Sequence, residues 1–360
     1  MELETYIKYS YMSLCSHEEV ERILNPQSVE DYLLKLRANA TVENIRIHRV
    51  FLNRMKNKGE NWSFESSFDS DIFDDYFLNL NDKDKLEARK IASGLVFCNE
   101  PNGRIIKTQF GNVITISESL KYFLYFMNLA FIKFNSDIPV SDSVRINALR
   151  IGLRIMLKAE SLDFDLDPRG IIPEEIDNEL SNYIHVQMLF LVSHEYSHYF
   201  LGHMNTANLV DNITHHVIEK IDGKTPKFYT HNQQEELDAD IDAIDRQNLS
   251  TSDKGNFITA ASFFFVYIDI LKAVREQISP SMLRVKTHPD PIDRLNNILN
   301  FFGDTYDVDK DNINLLINSA NLIKNFLQED LAINTELWED YGSIYLAEWR
   351  GQPLIDRVDY

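Results

Sequence analysis

The sequence predicts an α+β protein that is mostly helical and carries one small sheet. Three observations lead there. Apolar residues recur at helical spacing along most of the 360 residues. Gly and Pro are few, 12 and 10, which favours long helices over many short strands. One stretch, "GRIIKTQFGNVITISES", gathers Ile105, Ile106, Val113, Ile114 and Ile116, with Gly111-Asn112 as the expected turn. The length exceeds one compact core. The expected parts are a helical and acidic region over 1–100, a central domain over 101–305 and a helical region over 306–360.

The elements follow in order. Residues 1 to about 60 read as helices, with Pro26 and the serines as breaks. "SHEEVE" reads as a capped helix start, because no second histidine follows Glu18. The acidic stretch Phe64–Lys90 lacks the Gly and closing Glu of a calcium loop and reads as a solvated linker or helix face. Helical patterns follow over Leu120–Phe134 and Ser143–Lys158, then a loop with Pro168, Gly170 and Pro173. A long helix is expected from Glu179 to about Leu201, ending at Gly202. A polar stretch runs from Asn205 to His231. Helices are expected over Gln233–Asn248, over Phe257–Ile278, from about Pro291, and through the remainder to Tyr360, where Trp338, Tyr341, Tyr345 and Trp349 are spaced for packing.

The totals exclude several function classes. Hydrophobic residues at 44% and aromatic residues at 11% argue against wholesale disorder. The formal charge of −20, from 56 acidic and 36 basic residues, repels phosphate backbones and anionic lipid. Nucleic acid and membrane are therefore not expected partners. Cys15 and Cys98 form no CxxC pair and no disulfide framework, which suits a reducing compartment. The N-terminus lacks a basic start and apolar run, and the longest apolar runs fall short of the roughly 20 residues that span a bilayer. A cytoplasmic location is the expectation.

The chemistry concentrates in "LVSHEYSHYFLGHM", Leu191 to Met204. His194-Glu195-Tyr196-Ser197-His198 is an HExxH sequence. Residues four apart share a helix face, so His194 and His198 can hold one Zn²⁺. Glu195 can then take a proton from the attacking water and pass it to a leaving amine. The bland alternative is a helix with two half-buried histidines. A third histidine six residues after His198 is absent, because Met204 stands there. His203 comes one place early and points off the ligand face while the helix continues; a helix-end or supporting role fits it better.

"QQEELDADIDAIDRQ" supplies another third ligand. Glu236 and Asp240 lie one turn apart. Glu236 can ligate, and Asp240 can accept the N–H of a ligand histidine, His194 being the expected one. Glu235 and Asp238 are the fallback ligands, and the alternative is a solvated acidic face. Ala239 suits close helix contact. In "THPDPIDR", His288 and Arg294 can donate to an oxyanion, or can be a loop histidine and a surface arginine.

HExxH, then Glu236 to Asp240, then Thr287-His288-Pro289 with Arg294 six residues after the histidine, resembles the gluzincin metallopeptidases, closest to the phage-exclusion (Lit-like) peptidases. The resemblance covers about residues 105–300 and is carried by motif order more than by identity. It implies a gluzincin-like zincin core and a zinc-dependent endopeptidase acting on an intracellular protein. It implies His194, His198 and Glu236 as ligands, Glu195 as general base, Asp240 behind a ligand histidine, and His288 and Arg294 as transition-state stabilisers. For the Lit-like peptidases it also implies phage defence by cleavage of a translation elongation factor. The connection between Gly202 and Glu236 is longer than expected; it contains His215, His216 and His231 and can bring His231 near the metal. The sheet around Arg104–Ile116 is expected beside the active helix, with an edge strand that pairs an extended substrate. An activating or inhibiting protein partner is compatible with this reading. The other readings are a regulatory peptidase that cleaves a repressor and a non-catalytic zinc-binding pseudo-peptidase.

Overall fold

A computed structural model describes residues 8–97, 103–205, 208–211, 227–279 and 289–351. The chain is mostly helical with a small sheet, as the sequence predicts. It divides into two compact units. The first comprises Met1–Leu120, Leu162–Pro168 and Ala207–Thr230; the second comprises Lys121–Ser161, Arg169–Thr206 and His231–Tyr360.

The first unit opens with helices α1 (His17–Leu24), α2 (Val29–Val42) and α3 (Ile45–Lys58). "SHEEVE" is a capped start: the Glu19 amide donates to Ser16 Oγ, and the Ser16 amide donates to Glu19 Oε2. The acidic stretch forms two short helices, α4 (Asp71–Leu78) and α5 (Asp82–Ala88). Phe51 packs against Phe64, Phe68 and Phe97 at ring separations of 5.4, 4.9 and 6.4 Å. This apolar cluster anchors α3.

The sheet is larger than the sequence suggests. Its strands are β1 (Ala92–Val96), β2 (Gly103–Thr108), β3 (Gly111–Ser117), β4 (Asn208–Asp211) and β5 (Lys227–Thr230), in the order β1-β3-β2-β5-β4. β1 runs parallel to β3; the other pairs are antiparallel. The expected turn at Gly111-Asn112 lies two residues earlier, at Gln109-Phe110, because Thr108 pairs with Gly111 inside the ladder. Gly111 opens β3 at φ 141°, which a side chain would strain. β2 and β3 are both interior, so neither offers the free edge expected for a substrate strand. Buried Arg37 donates through Nε to the Leu95 carbonyl at 2.9 Å. A Cβ at Gly94 would lie 2.3 Å from Arg37 Nη2, so a side chain there would displace the Arg37 guanidinium.

The second unit is helical. It contains most of α6 (Glu118–Phe131), then α7 (Asp142–Met156), α8 (Glu174–Phe200), α9 (Gln233–Asp245), α10 (Thr251–Ile278), α11 (Pro291–Phe302), α12 (Lys310–Ile333) and α13 (Thr335–Glu339). α8 begins at Glu174, one turn before the expected Glu179, with Pro173 at its cap. It packs against α9 and α10, and α10 packs in turn against α11 and α12. By length and composition α10 could cross a membrane, yet 67% of its apolar window is buried inside the unit. Phe190 of α8 meets Phe257, Phe264 and Phe265 of α10 at 5.9, 6.2 and 5.7 Å. Tyr267 donates to Asn128 Oδ1, and Asn128 Nδ2 donates to Gln187 Oε1, so a satisfied polar cluster joins α6, α8 and α10 in the core.

The C-terminal segment departs from the expected helix. After Glu339 the chain runs as an extended strap to residue 351, with one turn of 3₁₀ helix at Ala347–Trp349. Its backbone bonds outward: the Ser161 amide donates to Gly342 O, the Leu346 amide to Arg169 O, and Asn147 Nδ2 to Tyr345 O. Buried Glu160 accepts from Arg154 Nε and Arg169 Nε, both at 2.9 Å, and from the Ile344 amide. These partners replace the i→i+4 bonds that a helix would make.

Candidate metal centre

Two helices build the site. Ser193 Oγ donates to the Ala243 carbonyl at 2.8 Å, and Gln247 Nε2 donates to Ser193 Oγ at 3.0 Å, clamping α8 to α9. Ala239 and Ala243 are fully buried at this contact, so the small side chains let the helices close. On α8 the i, i+4 spacing sets His194 and His198 on one face. On α9 the same spacing sets Glu236 and Asp240 toward them. All four side chains are buried.

The donor atoms form a compact triangle. His194 Nε2 and His198 Nε2 lie 3.2 Å apart. Glu236 Oε2 lies 3.5 Å from His194 Nε2, and Glu236 Oε1 lies 3.7 Å from His198 Nε2. Zinc bonded to such atoms at about 2.0–2.1 Å has tetrahedral edges of about 3.3 Å. The spacing of these donors is close to that edge, so the three side chains could hold such a cation. It is one of two such donor groups among the described residues.

Asp240 Oδ1 lies 3.0 Å from His194 Nδ1 and so accepts its ring N–H, leaving Nε2 facing the triangle. Arg294, from α11, lies behind both carboxylates. Its Nε and Nη2 donate to Asp240 at 2.7 and 2.6 Å, and Nη1 lies 3.2 Å from Glu236 Oε2. Its guanidinium also stacks over Phe265 at 4.8 Å. Arg294 thus grips the carboxylates. Glu235 closes the α9 capping box with Asn232, and Asp238 is exposed, so Glu236 is the α9 carboxylate that faces the two imidazoles. Glu195, next to His194 in the chain, is half-buried, and its charge helps to keep the Arg294 guanidinium protonated. His288 lies outside the described residues, as do His215, His216 and Cys98.

The electrostatics suit a cation. Two buried carboxylates face one guanidinium, leaving an excess negative charge. Burial pushes the His194 pKa down, but hydrogen bonds to Asp240 and Glu236 outweigh it and raise the value to about 9. Metal-free, His194 carries the missing positive charge as a proton; a dication would supply it instead. Burial, reinforced by His194, holds His198 well below the ordinary histidine value. Burial also lowers His203, and lowers His231 to about 4.

His203 reaches the site because α8 stops. Gly202 adopts φ 73°, the left-handed turn that ends helices, and a 3₁₀ turn over His203–Asn205 folds the chain back. His203 Nδ1 then lies 3.0 Å from His198 Nδ1. His231, the residue before the α9 cap, stacks on the His198 ring at 3.7 Å. The helix ends at Gly202, as the sequence predicts, and the reversal there brings His203 to the Nδ1 side of His198.

No family model, curated protein or solved structure matches this chain.

Proposed function

We propose that this chain is a zinc-dependent endopeptidase with a gluzincin-like core, acting inside the cell on a protein substrate. The observation that carries the reading is the convergence of His194 Nε2 and His198 Nε2, 3.2 Å apart, on the Glu236 carboxylate, whose Oε2 lies 3.5 Å from His194 and whose Oε1 lies 3.7 Å from His198, with Glu195 next to His194 in the chain. Two imidazoles and one carboxylate leave a fourth position for substrate and water, as hydrolytic zinc sites require. When bound, zinc polarises a carbonyl oxygen and makes water acidic near neutral pH.

The chain's own residues do the rest. His194 and His198 present their Nε2 lone pairs, and Asp240 fixes the His194 tautomer. Arg294 holds Glu236 and Asp240 in register. Glu195 accepts the proton of the attacking water and delivers it to the leaving amine. Motif order extends the proposal to phage exclusion through cleavage of a translation factor.

The test is Glu195→Gln. The variant is expected to fold, to keep zinc and to lose peptidase activity by a factor of about 10²–10⁴. Used as a trap, it is expected to retain the substrate protein. Full activity in that variant would sink the assignment.

A further inference from the structure

We propose that His198, His203 and His231 form a second position for a divalent transition cation, which shares His198 with the first and cannot be filled at the same time. Their ligand-capable atoms all lie within 4.8 Å of one another. His198 Nδ1 and His203 Nδ1 are 3.0 Å apart, a separation that holds either a shared proton or a neighbouring cation. The His231 side chain is only 8% exposed. Its Nδ1 is buried with no hydrogen-bond partner, and the carboxylate of Glu235 stands 3.6 Å away, beyond hydrogen-bond range. A buried ring nitrogen left unpaired costs free energy that a bound cation recovers.

The sharing follows from the chemistry of a neutral imidazole, which has one N–H and one lone pair. With the proton on Nδ1, His198 donates to His203 and turns its Nε2 lone pair to His194 and Glu236. With the proton on Nε2, that N–H faces the Nε2 lone pair of His194, 3.2 Å away, once His194 keeps only its Nδ1 proton towards Asp240, and the Nδ1 lone pair of His198 joins His203 and His231. Each arrangement supplies the outer partner that a ligand histidine needs. The tautomer of His198 therefore selects the position. The His231 ring must tilt out of its stack, because stacked rings aim their lone pairs in parallel; the two ring planes are 15° apart.

Three imidazoles without a carboxylate select zinc, copper, nickel or cobalt over magnesium or calcium. The consequence rests on the zinc-peptidase reading: a cation held by the three histidines leaves Glu236 off the metal, so the second position is a latent one.

The full-length chain tests this with zinc alone. Stoichiometry, chelator competition and zinc-edge X-ray absorption, which counts imidazoles, are read on four proteins. Wild type is expected to hold one zinc with two imidazoles. Glu236→Gln is expected to hold one zinc, at least about 100-fold more weakly, with three. Adding His203→Ala and His231→Ala to Glu236→Gln is expected to abolish binding. The same histidine pair replaced in the native background still binds one zinc through two imidazoles, about 10–100-fold more weakly for want of the His203 partner of His198, and this retained site also shows that the pair is not needed for folding. Two zinc ions per wild-type chain, or zinc in Glu236→Gln that ignores the histidine pair, would overturn the proposal. No zinc in Glu236→Gln beside full loading of wild type would overturn it and leave the peptidase reading standing. Three imidazoles already in wild type would overturn the first ligand set instead.

Discussion

Asp240 Oδ1 lies 3.0 Å from His194 Nδ1, and the same carboxylate is gripped by Arg294 through two hydrogen bonds. One buried acid thereby fixes the ring that faces Glu236 and fixes the arginine that braces Glu236. Asp240→Asn keeps the shape and removes the charge. Zinc affinity is expected to fall by about 10–100-fold. Chelator competition measures it, and an unchanged affinity would remove Asp240 from the site.

The α8–α9 contact depends on small side chains. Ala239 has no exposed surface, and it lies one residue before Asp240. Ala239→Leu forces the helices apart and is expected to cost about 1–3 kcal/mol in denaturant unfolding. Because Glu236 moves with α9, the same variant is expected to lose zinc affinity. Full zinc retention in the destabilised variant would show that the triangle does not depend on this contact.

The strap over residues 340–350 depends on Glu160. It accepts from Arg154, Arg169 and the Ile344 amide in a buried site. Glu160→Gln leaves two buried guanidinium groups short of a counter-charge. A loss of about 3–5 kcal/mol is expected, the range for breaking a buried pair from one side. Proteolysis within the strap is expected to rise with it; wild-type resistance and stability would show that the pair is dispensable.

Glu19 gives the first unit a pH dependence. Burial pushes its pKa up, but hydrogen bonds from the Glu65 and Ser16 amides, and from the Ser16 and Ser63 hydroxyls, outweigh it and lower the value below 4.5. A depressed carboxyl contributes stability above its unfolded pKa and loses it as pH falls through the folded value. Wild type is expected to exceed Glu19→Gln by about 1.5–3 kcal/mol at pH 7, with the gap closing below about pH 4.5. A gap that persists unchanged to pH 2 would contradict the charge-based account.

Much of the site was legible because its signals are local. His194 with His198, and Glu236 with Asp240, each sit four apart on one helix, so the sequence places them on faces without tertiary knowledge. The pairing of the two helices rests on Ala239 and Ala243, which read as ordinary alanines until a neighbour is present. The supporting place of His203 is legible from the helix end at Gly202, but its partner His198 is not, because that contact depends on the chain reversal there. His231 was legible only as a nearby histidine; its stack on His198 is a tertiary contact. The hairpin around Ile105 and Ile114 announced itself by β-branched residues. β1, with Ala92, Ser93 and Gly94, carries no such pattern and is held by Arg37 and by its ladder with β3. The strap carried aromatic residues at helical spacing, but Glu160 and Arg169 hold its backbone in an extended form.

The central claim is that His194, His198 and Glu236 hold one zinc ion. Chelator competition on wild type beside Glu236→Gln tests it most directly. The account predicts one zinc per wild-type chain and an affinity at least about 100-fold weaker in the variant, in line with the loss of a direct charged ligand. Equal affinity in the two proteins, or no zinc in wild type, would contradict it.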